Sequence, residues 1–234
     1  MSPTSSNASV ADVGVVIPSG GRGERMGSGS PKQFLELAGV PMLLRSLRPF
    51  AQLGVVKEIV IPVPAETLSA PPAWLAKAAV GRVQLVGGGK TRAESVRNGV
   101  AALSAACDMV LVHDAARPFV DPPTIEAIIR VVRTGVSAVA AVPLSDTLKR
   151  ADPRGVVTET VPRVGLWRAQ TPQGFPREVL DEIYAAVGDA LGRVTDEATL
   201  VERAGYPVTL VADSVRNMKI TTPDDLTFAE ALLR

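Results

Sequence analysis

A short apolar strand that runs straight into glycines and cations sets the first constraint on this chain: Val15-Val16-Ile17-Pro18-Ser19-Gly20-Gly21-Arg22-Gly23-Glu24-Arg25-Met26-Gly27-Ser28-Gly29-Ser30-Pro31-Lys32-Gln33. Glycine lacks a Cβ, so a strand tip built from it can adopt left-handed dihedrals and bring backbone N–H groups close to an anion. Arg25 and Lys32 add positive charge to the same stretch. The pattern predicts a loop that holds a nucleoside triphosphate rather than a solvated loop of glycine and serine. Two common phosphate motifs do not describe it. The dinucleotide fingerprint fits Gly21-Arg22-Gly23 but meets Met26 where its third glycine belongs, and no carboxylate closes a following strand at the expected distance. A Walker loop needs a lysine directly after its last glycine, whereas Gly27 is followed by Ser28 and the nearest lysine is Lys32.

With 234 residues, 46% of them apolar, the chain can build one sizeable core. Its 25 basic and 24 acidic residues nearly cancel, which disfavours bulk electrostatic capture of nucleic acid or an anionic membrane and makes phosphate recognition a local matter. The single cysteine, Cys107, supports neither an internal disulfide nor a metal cluster and reads as a small buried group in a reducing, cytoplasmic setting. Residues 1–12 are polar, lack the blocks of a signal peptide, and are expected to form a flexible tail before a domain over 13–234.

Apolar runs recur as strands at Glu58–Pro64, Arg82–Val86, Met109–Val112 and Ser137–Leu144, with helical spacing between them in Pro41–Phe50, around Trp74–Ala78, from Thr91, and after Asp121. The strands are near-continuously apolar, so both faces should be covered by helices: an α/β fold with a mostly parallel sheet. Ser145–Arg150 and Gly155–Val161 alternate around a turn at Ala151-Asp152-Pro153-Arg154 and predict a hairpin arm over 145–165 that needs something to pack on, such as a second copy. Pro207–Val211 and Asn217–Thr221 read as late strands, and Pro223 starts a last helix.

A second strand tip, Val86-Gly87-Gly88-Gly89, precedes a helix that begins near Thr91 and points its N-terminal dipole at whatever binds. Arg92 at this helix start is read as a ligand contact; Ser95 either offers a hydroxyl to a base or is a solvated helix position. Asp114 and Arg117 sit just past the end of an apolar strand, where a carboxylate suits Mg²⁺ and an arginine clamps phosphate. His113, the only histidine, is expected to be packed and hydrogen-bonded. Asp196 and Glu197 read as capping charges, and Lys219, in an otherwise apolar run, reads as a phosphate contact.

Taken together, Gly21-x-Gly23-x-Arg25-Met26, Pro31-Lys32-Gln33, Gly88-Gly89-x-x-Arg92-x-x-Ser95-Val96, His113-Asp114-Ala115-Ala116-Arg117-Pro118, Asp146-Thr147-x-Lys149, Leu166-Trp167, Thr171-Pro172-Gln173, Thr195-Asp196-Glu197-Ala198 and Lys219 resemble the 2-C-methyl-D-erythritol 4-phosphate cytidylyltransferases of the non-mevalonate isoprenoid pathway. The chain departs from the family's pattern at Ser19-Gly20, where two alanines are usual, and at Lys90, where an acidic residue is frequent. The resemblance implies a Rossmann-like nucleotidyltransferase fold and a homodimer with embracing arms. It implies MgCTP held by Pro18, Ser19, Gly20, Gly21, Gly23, Gly89, Arg92, Ser95, Asp114, Ala115 and Lys219, with Asp114 as metal ligand. Methylerythritol phosphate would lie near Asp114, Arg117 and Lys219, with Thr147, Arg163 and Thr171 reaching in from the partner; Arg25, Lys32 and Lys219 would stabilise the charge that gathers in reaction. The rival readings are a ribitol 5-phosphate cytidylyltransferase and a non-catalytic nucleotide-binding domain. A glycosyltransferase of similar topology would want an Asp-x-Asp motif, which His113-Asp114-Ala115 does not supply.

Overall fold

The computed structural model describes residues 12–20, 32–187, 191 and 194–234, with Lys32 described through its backbone alone. Seven strands form one sheet in the order β11-β7-β10-β6-β1-β4-β5. They are β1 (Asp12–Val16), β4 (Val56–Val63), β5 (Val83–Gly87), β6 (Cys107–Val112), β7 (Ser137–Pro143), β10 (Trp167–Pro176) and β11 (Val208–Ala212). Two short pairs stand apart, β2 (Glu36–Leu37) with β3 (Val40–Pro41), and β8 (Leu148–Ala151) with β9 (Val157–Val161). All neighbours in the large sheet are parallel except β10, which runs antiparallel to both β6 and β7.

Alternation along the central strands shows why both faces are buried. Val13, Val15 and Ile17 join Ile59, Ile61 and Leu111 in one apolar layer, whereas Val16, Val60, Val110 and Val112 join another. The first layer is closed by α1 (Met42–Ala51) and α5 (Pro122–Val132), the second by α4 (Arg92–Ala102), α6 (Arg177–Val187) and α7 (Glu197–Arg203). Each fully buried aliphatic side chain contributes about 1.5–3 kcal/mol, so these layers fix the register. Helix α4 lies close on the sheet because residue 99 is glycine: a Cβ there would fall 2.5 Å from Val16 Cγ1. Short α2 (Ala65–Ser69) and α3 (Ala73–Ala78) link β4 to β5, and α8 (Pro223–Ala231) closes the chain behind a Thr222 capping box.

Strand order reverses at β1. The chain steps outward through β4 and β5, then returns across β1 to lay down β6, and the crevice between the ends of β1 and β6 is where ligands bind in such sheets.

Two expectations need correction. Asn217–Thr221 is not a strand; it is a loop between β11 and α8, held by single hydrogen bonds instead of a ladder. Trp167–Pro176, a stretch for which no strand is expected from the sequence, is a ten-residue strand inside the sheet. Its pairing with β7 is irregular between Ala169 and Gln173, which accommodates Pro172, a residue with no N–H to give to a ladder. The hairpin stands where it was expected, with its turn between β8 and β9 and every β8 residue exposed. The expected N-terminal tail falls, apart from Asp12, outside the described residues.

Candidate active site

At the end of β6 the chain leaves the sheet through His113-Asp114-Ala115-Ala116-Arg117. The His113 N–H donates to the Val16 carbonyl at 2.9 Å, extending the contact with β1 by one residue. The His113 ring is fully buried, with Nδ1 3.0 Å from the Thr171 hydroxyl and Nε2 3.0 Å from the Arg117 carbonyl. The Thr171 hydroxyl oxygen already accepts the Asp114 N–H at 3.0 Å, so one tautomer satisfies everything: Thr171 donates to Nδ1, and Nε2–H donates to Arg117. Burial pushes the imidazole down to about 4, so it is neutral at pH 7 and serves as a bolt between β6 and β10.

Asp114 is the centre of a charge cluster. Its Oδ1 accepts from Arg92 Nε at 3.2 Å, while Oδ2 lies 2.8 Å from Lys219 Nζ and 3.7 Å from Arg117 Nε. Arg92 Nη1 in turn reaches both oxygens of Glu197 at 2.9 and 2.8 Å. Arg92, Arg117 and Lys219 thus gather around Asp114 at the mouth of the crevice, with Glu197 behind Arg92 and Asp213 behind Arg117 as further counter-charges. Burial alone would raise the Asp114 carboxyl, but Arg92 and Lys219 override it and hold it well below the usual carboxylate range. Burial likewise opposes the Arg92 charge, and Glu197 and Asp114 together more than restore it, so the guanidinium is held above its ordinary value. Lys219 is the accessible member, with its side chain 41% exposed.

Glu197 corrects the sequence reading. Asp196 does cap α7, accepting from Thr199 N at 3.0 Å, but Glu197 is fully buried and braces Arg92. Gln173 of β10 locks this corner, donating to Asp196 Oδ2 at 2.8 Å and accepting from Ala198 N at 3.2 Å. Glu197 was hidden by its place beside a good N-cap, and Gln173 by lying in a strand that the sequence did not show.

The two glycine tips meet at Ser95. A Cβ added at Gly20 would lie 3.7 Å from the Ser95 Oγ, and one at Gly88 3.2 Å from it. The second tip is not the bare cradle expected, because its donors are already used. Gly89 N donates to Ser95 Oγ at 3.0 Å, Lys90 N to Glu94 Oε2 at 2.7 Å, and Ser95 gives its own proton to the Thr91 carbonyl at 2.8 Å. A Cβ at residue 89 would fall 2.2 Å from Glu94 Cβ, so glycine there serves helix packing. Ser19 is buried and donates to the Ile17 carbonyl at 3.1 Å, and Pro18 is half-buried beside it. Ala115 packs in the core, its carbonyl accepting from Ser46 at 2.9 Å. Gly21, Gly23 and Arg25 fall outside the described residues, as does the Lys32 side chain.

Thr171 also corrects an expectation. It is buried against Asp114 and His113 of its own chain, with its hydroxyl engaged by both, and so does not extend toward a partner. Thr147 and Arg163 flank the base of the hairpin, both exposed, with Arg163 donating to the Ser145 carbonyl. As a metal ligand Asp114 fits poorly: cations occupy both of its oxygens, and the described residues hold no group of three or more His, Cys, Asp or Glu side chains suited to an ion.

The family model IspD, 2-C-methyl-D-erythritol 4-phosphate cytidylyltransferase, matches residues 13–234. The chain belongs to this family. It is 42% identical to the enzyme of that name from Frankia casuarinae, over 94% of this chain and 81% of the relative. It is 43% identical to the one from Ralstonia nicotianae, over 93% and 90% respectively. The crystal structure of 2-C-methyl-D-erythritol 4-phosphate cytidylyltransferase from Thermus thermophilus superposes with a TM-score of 0.80 at 33% identity, covering 94% of this chain and 98% of that one. As a family member the chain is a nucleotidyltransferase, and the seven-stranded sheet with its separate hairpin is the architecture it shares with those structures. No described helix is long and apolar enough to cross a membrane.

Proposed function

We infer that this chain carries out the reaction of its family: the phosphate of 2-C-methyl-D-erythritol 4-phosphate attacks the α-phosphorus of CTP, giving 4-diphosphocytidyl-2-C-methyl-D-erythritol and pyrophosphate. An acceptor phosphate oxygen forms the new P–O bond as the bond from the α-phosphorus to the bridging oxygen of the leaving pyrophosphate breaks. The observation that carries the reading is the Asp114 cluster, three cations gathered on one carboxylate at the strand-order reversal with Lys219 exposed.

A phosphate monoester has a second pKa of about 6, so the nucleophile is largely dianionic at neutral pH and no general base is needed. The neutral His113 agrees with that, since its two ring nitrogens are taken up by the Thr171 hydroxyl and the Arg117 carbonyl. What the protein must supply is compensation of charge where three anionic groups meet. Lys219 exchanges its contact with Asp114 for phosphate oxygens, and Arg117, close on Asp114, takes the acceptor from the other side. Arg25 and Lys32, placed by sequence on the first loop, act on the triphosphate. A divalent cation bound with the nucleotide would supply further neutralisation of the triphosphate charge. The hairpin arm packs on a second copy, bringing Thr147 and Arg163 to the partner's acceptor; its exposed Leu148, Val156 and Val157 favour such a cover.

The test is a paired assay of pyrophosphate release from CTP with methylerythritol phosphate or ribitol 5-phosphate as acceptor. Release with the first alone is expected. Preference for ribitol 5-phosphate would reassign the acceptor, and CTP binding without release would make the chain a nucleotide-binding domain.

A further inference from the structure

Two of the cations assigned to the acceptor phosphate come from different segments: Arg117 follows β6, and Lys219 lies in the loop after β11. Between them is Asn217, fully buried and four-way connected. Its side-chain Nδ2 donates to the Thr171 carbonyl at 2.8 Å and to Asp213 Oδ2 at 2.6 Å. Its backbone carbonyl accepts from Arg117 Nη1 at 2.7 Å and from Gln170 Nε2 at 2.9 Å. Three residues on, Ile220 N donates to the Ala116 carbonyl at 2.9 Å, so Lys219 is suspended between two fixed points.

We propose that Asn217 is a positioning residue for the acceptor phosphate, setting Arg117 and Lys219 together against Asp114; this rests on the reaction inferred above. The residue type follows from the contacts. Both hydrogens of the amide go to acceptors, so the reversed orientation would aim Oδ1 at a carbonyl and a carboxylate. Aspartate would do the same, and serine cannot span both. The amide oxygen itself has no hydrogen-bond partner, which shows that the site uses Asn217 for its donors. Arg117 Nε, buried and also without a hydrogen-bond partner, lies 3.7 Å from Asp114 Oδ2. Nε thus faces the Asp114 carboxylate that Lys219 also pairs with, at the edge of the crevice where the acceptor phosphate is proposed to sit. By fixing the peptide that receives Nη1, Asn217 keeps Nε turned to that place.

The experiment is steady-state kinetics on the full chain for Asn217→Ala, Lys219→Ala and the double variant, with thermal melts of each. Asn217→Ala should raise KM for methylerythritol phosphate about tenfold or more and leave KM for CTP within about twofold. In the Lys219→Ala background the same change should cost clearly less in kcat/KM than it does in the parent, because one of the two cations it positions is gone, while its effect on Tm stays the same. Fully multiplicative losses, or an unchanged acceptor KM, would overturn the proposal. If Asn217→Ala does not fold, Asp213→Ala removes one acceptor from the half-buried end and should raise the acceptor KM in the same direction by a smaller factor; an unchanged acceptor KM there would overturn it equally. Failure of the underlying reaction looks different: the unaltered chain would itself form no product.

Discussion

Arg92–Glu197 and Arg150–Glu159 are both arginine–glutamate pairs, closed at 2.8 and 2.9 Å, but they stand in opposite surroundings. Glu197 has 1% of its side chain exposed and Arg92 27%, and their charges run on to Asp114 and Lys219. In the arm, Arg150 is 66% exposed and Glu159 50%, and their strands pair only with each other. At the mouth of the crevice charge is held out of water and kept there by further charge. On the arm it is a solvated fringe around apolar groups. One region is a buried charge cluster closed within a single chain; the other is an exposed hairpin that carries apolar side chains.

The contrast breaks most sharply at Glu197. Glu197→Ala leaves Arg92 with Asp114 as its remaining counter-charge in a largely buried corner and should destabilise the fold by about 3 kcal/mol, read as a lowered midpoint in urea, with activity falling beside it. A midpoint unchanged from the parent would mean that the pair is no brace. Lys219→Ala removes the exposed cation instead and should lower kcat about a hundredfold with little change in the melt. Near-normal turnover would remove Lys219 from the reaction.

Deleting 151–160 should abolish the dimer in light scattering and weaken acceptor use, while the sheet, which shares no ladder with the arm, melts as before. An unchanged dimer with full activity would contradict the arm's role. His113 sharpens the comparison by pH. Its folded pKa of about 4 lies below the ordinary 6.5, so the unfolded chain binds the extra proton and stability falls as pH drops from about 6.5 toward 4, by up to about 3 kcal/mol. His113→Gln should flatten that slope in melts between pH 7 and 4.5. The smallest effect belongs to the arm pair: Arg150→Ala should move Tm by less than about 2 °C.

Much of the fold was legible because continuous apolar runs at β1, β4 and β6 and caps such as Thr91 and Asp121 are local signals. β10 was not, because Pro172, Gly174 and Pro176 argue against a strand, and only the broken register beside β7 makes room for them. The site divides the same way. Asp114, Arg117 and Lys219 stood out as charges at strand ends or in apolar runs. Glu197, Gln173 and Asn217 did not, since their roles depend on partners 105, 23 to 25 and 46 to 100 residues away. Lys219, expected in the middle of an apolar strand, is half-exposed on a loop and pairs with Asp114.

Phosphorus NMR of the chain with CTP, magnesium and methylerythritol phosphate follows every phosphorus atom of the reaction at once. Loss of the monoester resonance, appearance of a coupled pair from a new diphosphate diester, and an equal amount of pyrophosphate are the expected result. A monoester signal that persists while CTP stays intact, or is merely hydrolysed, would contradict transfer at the Asp114 cluster.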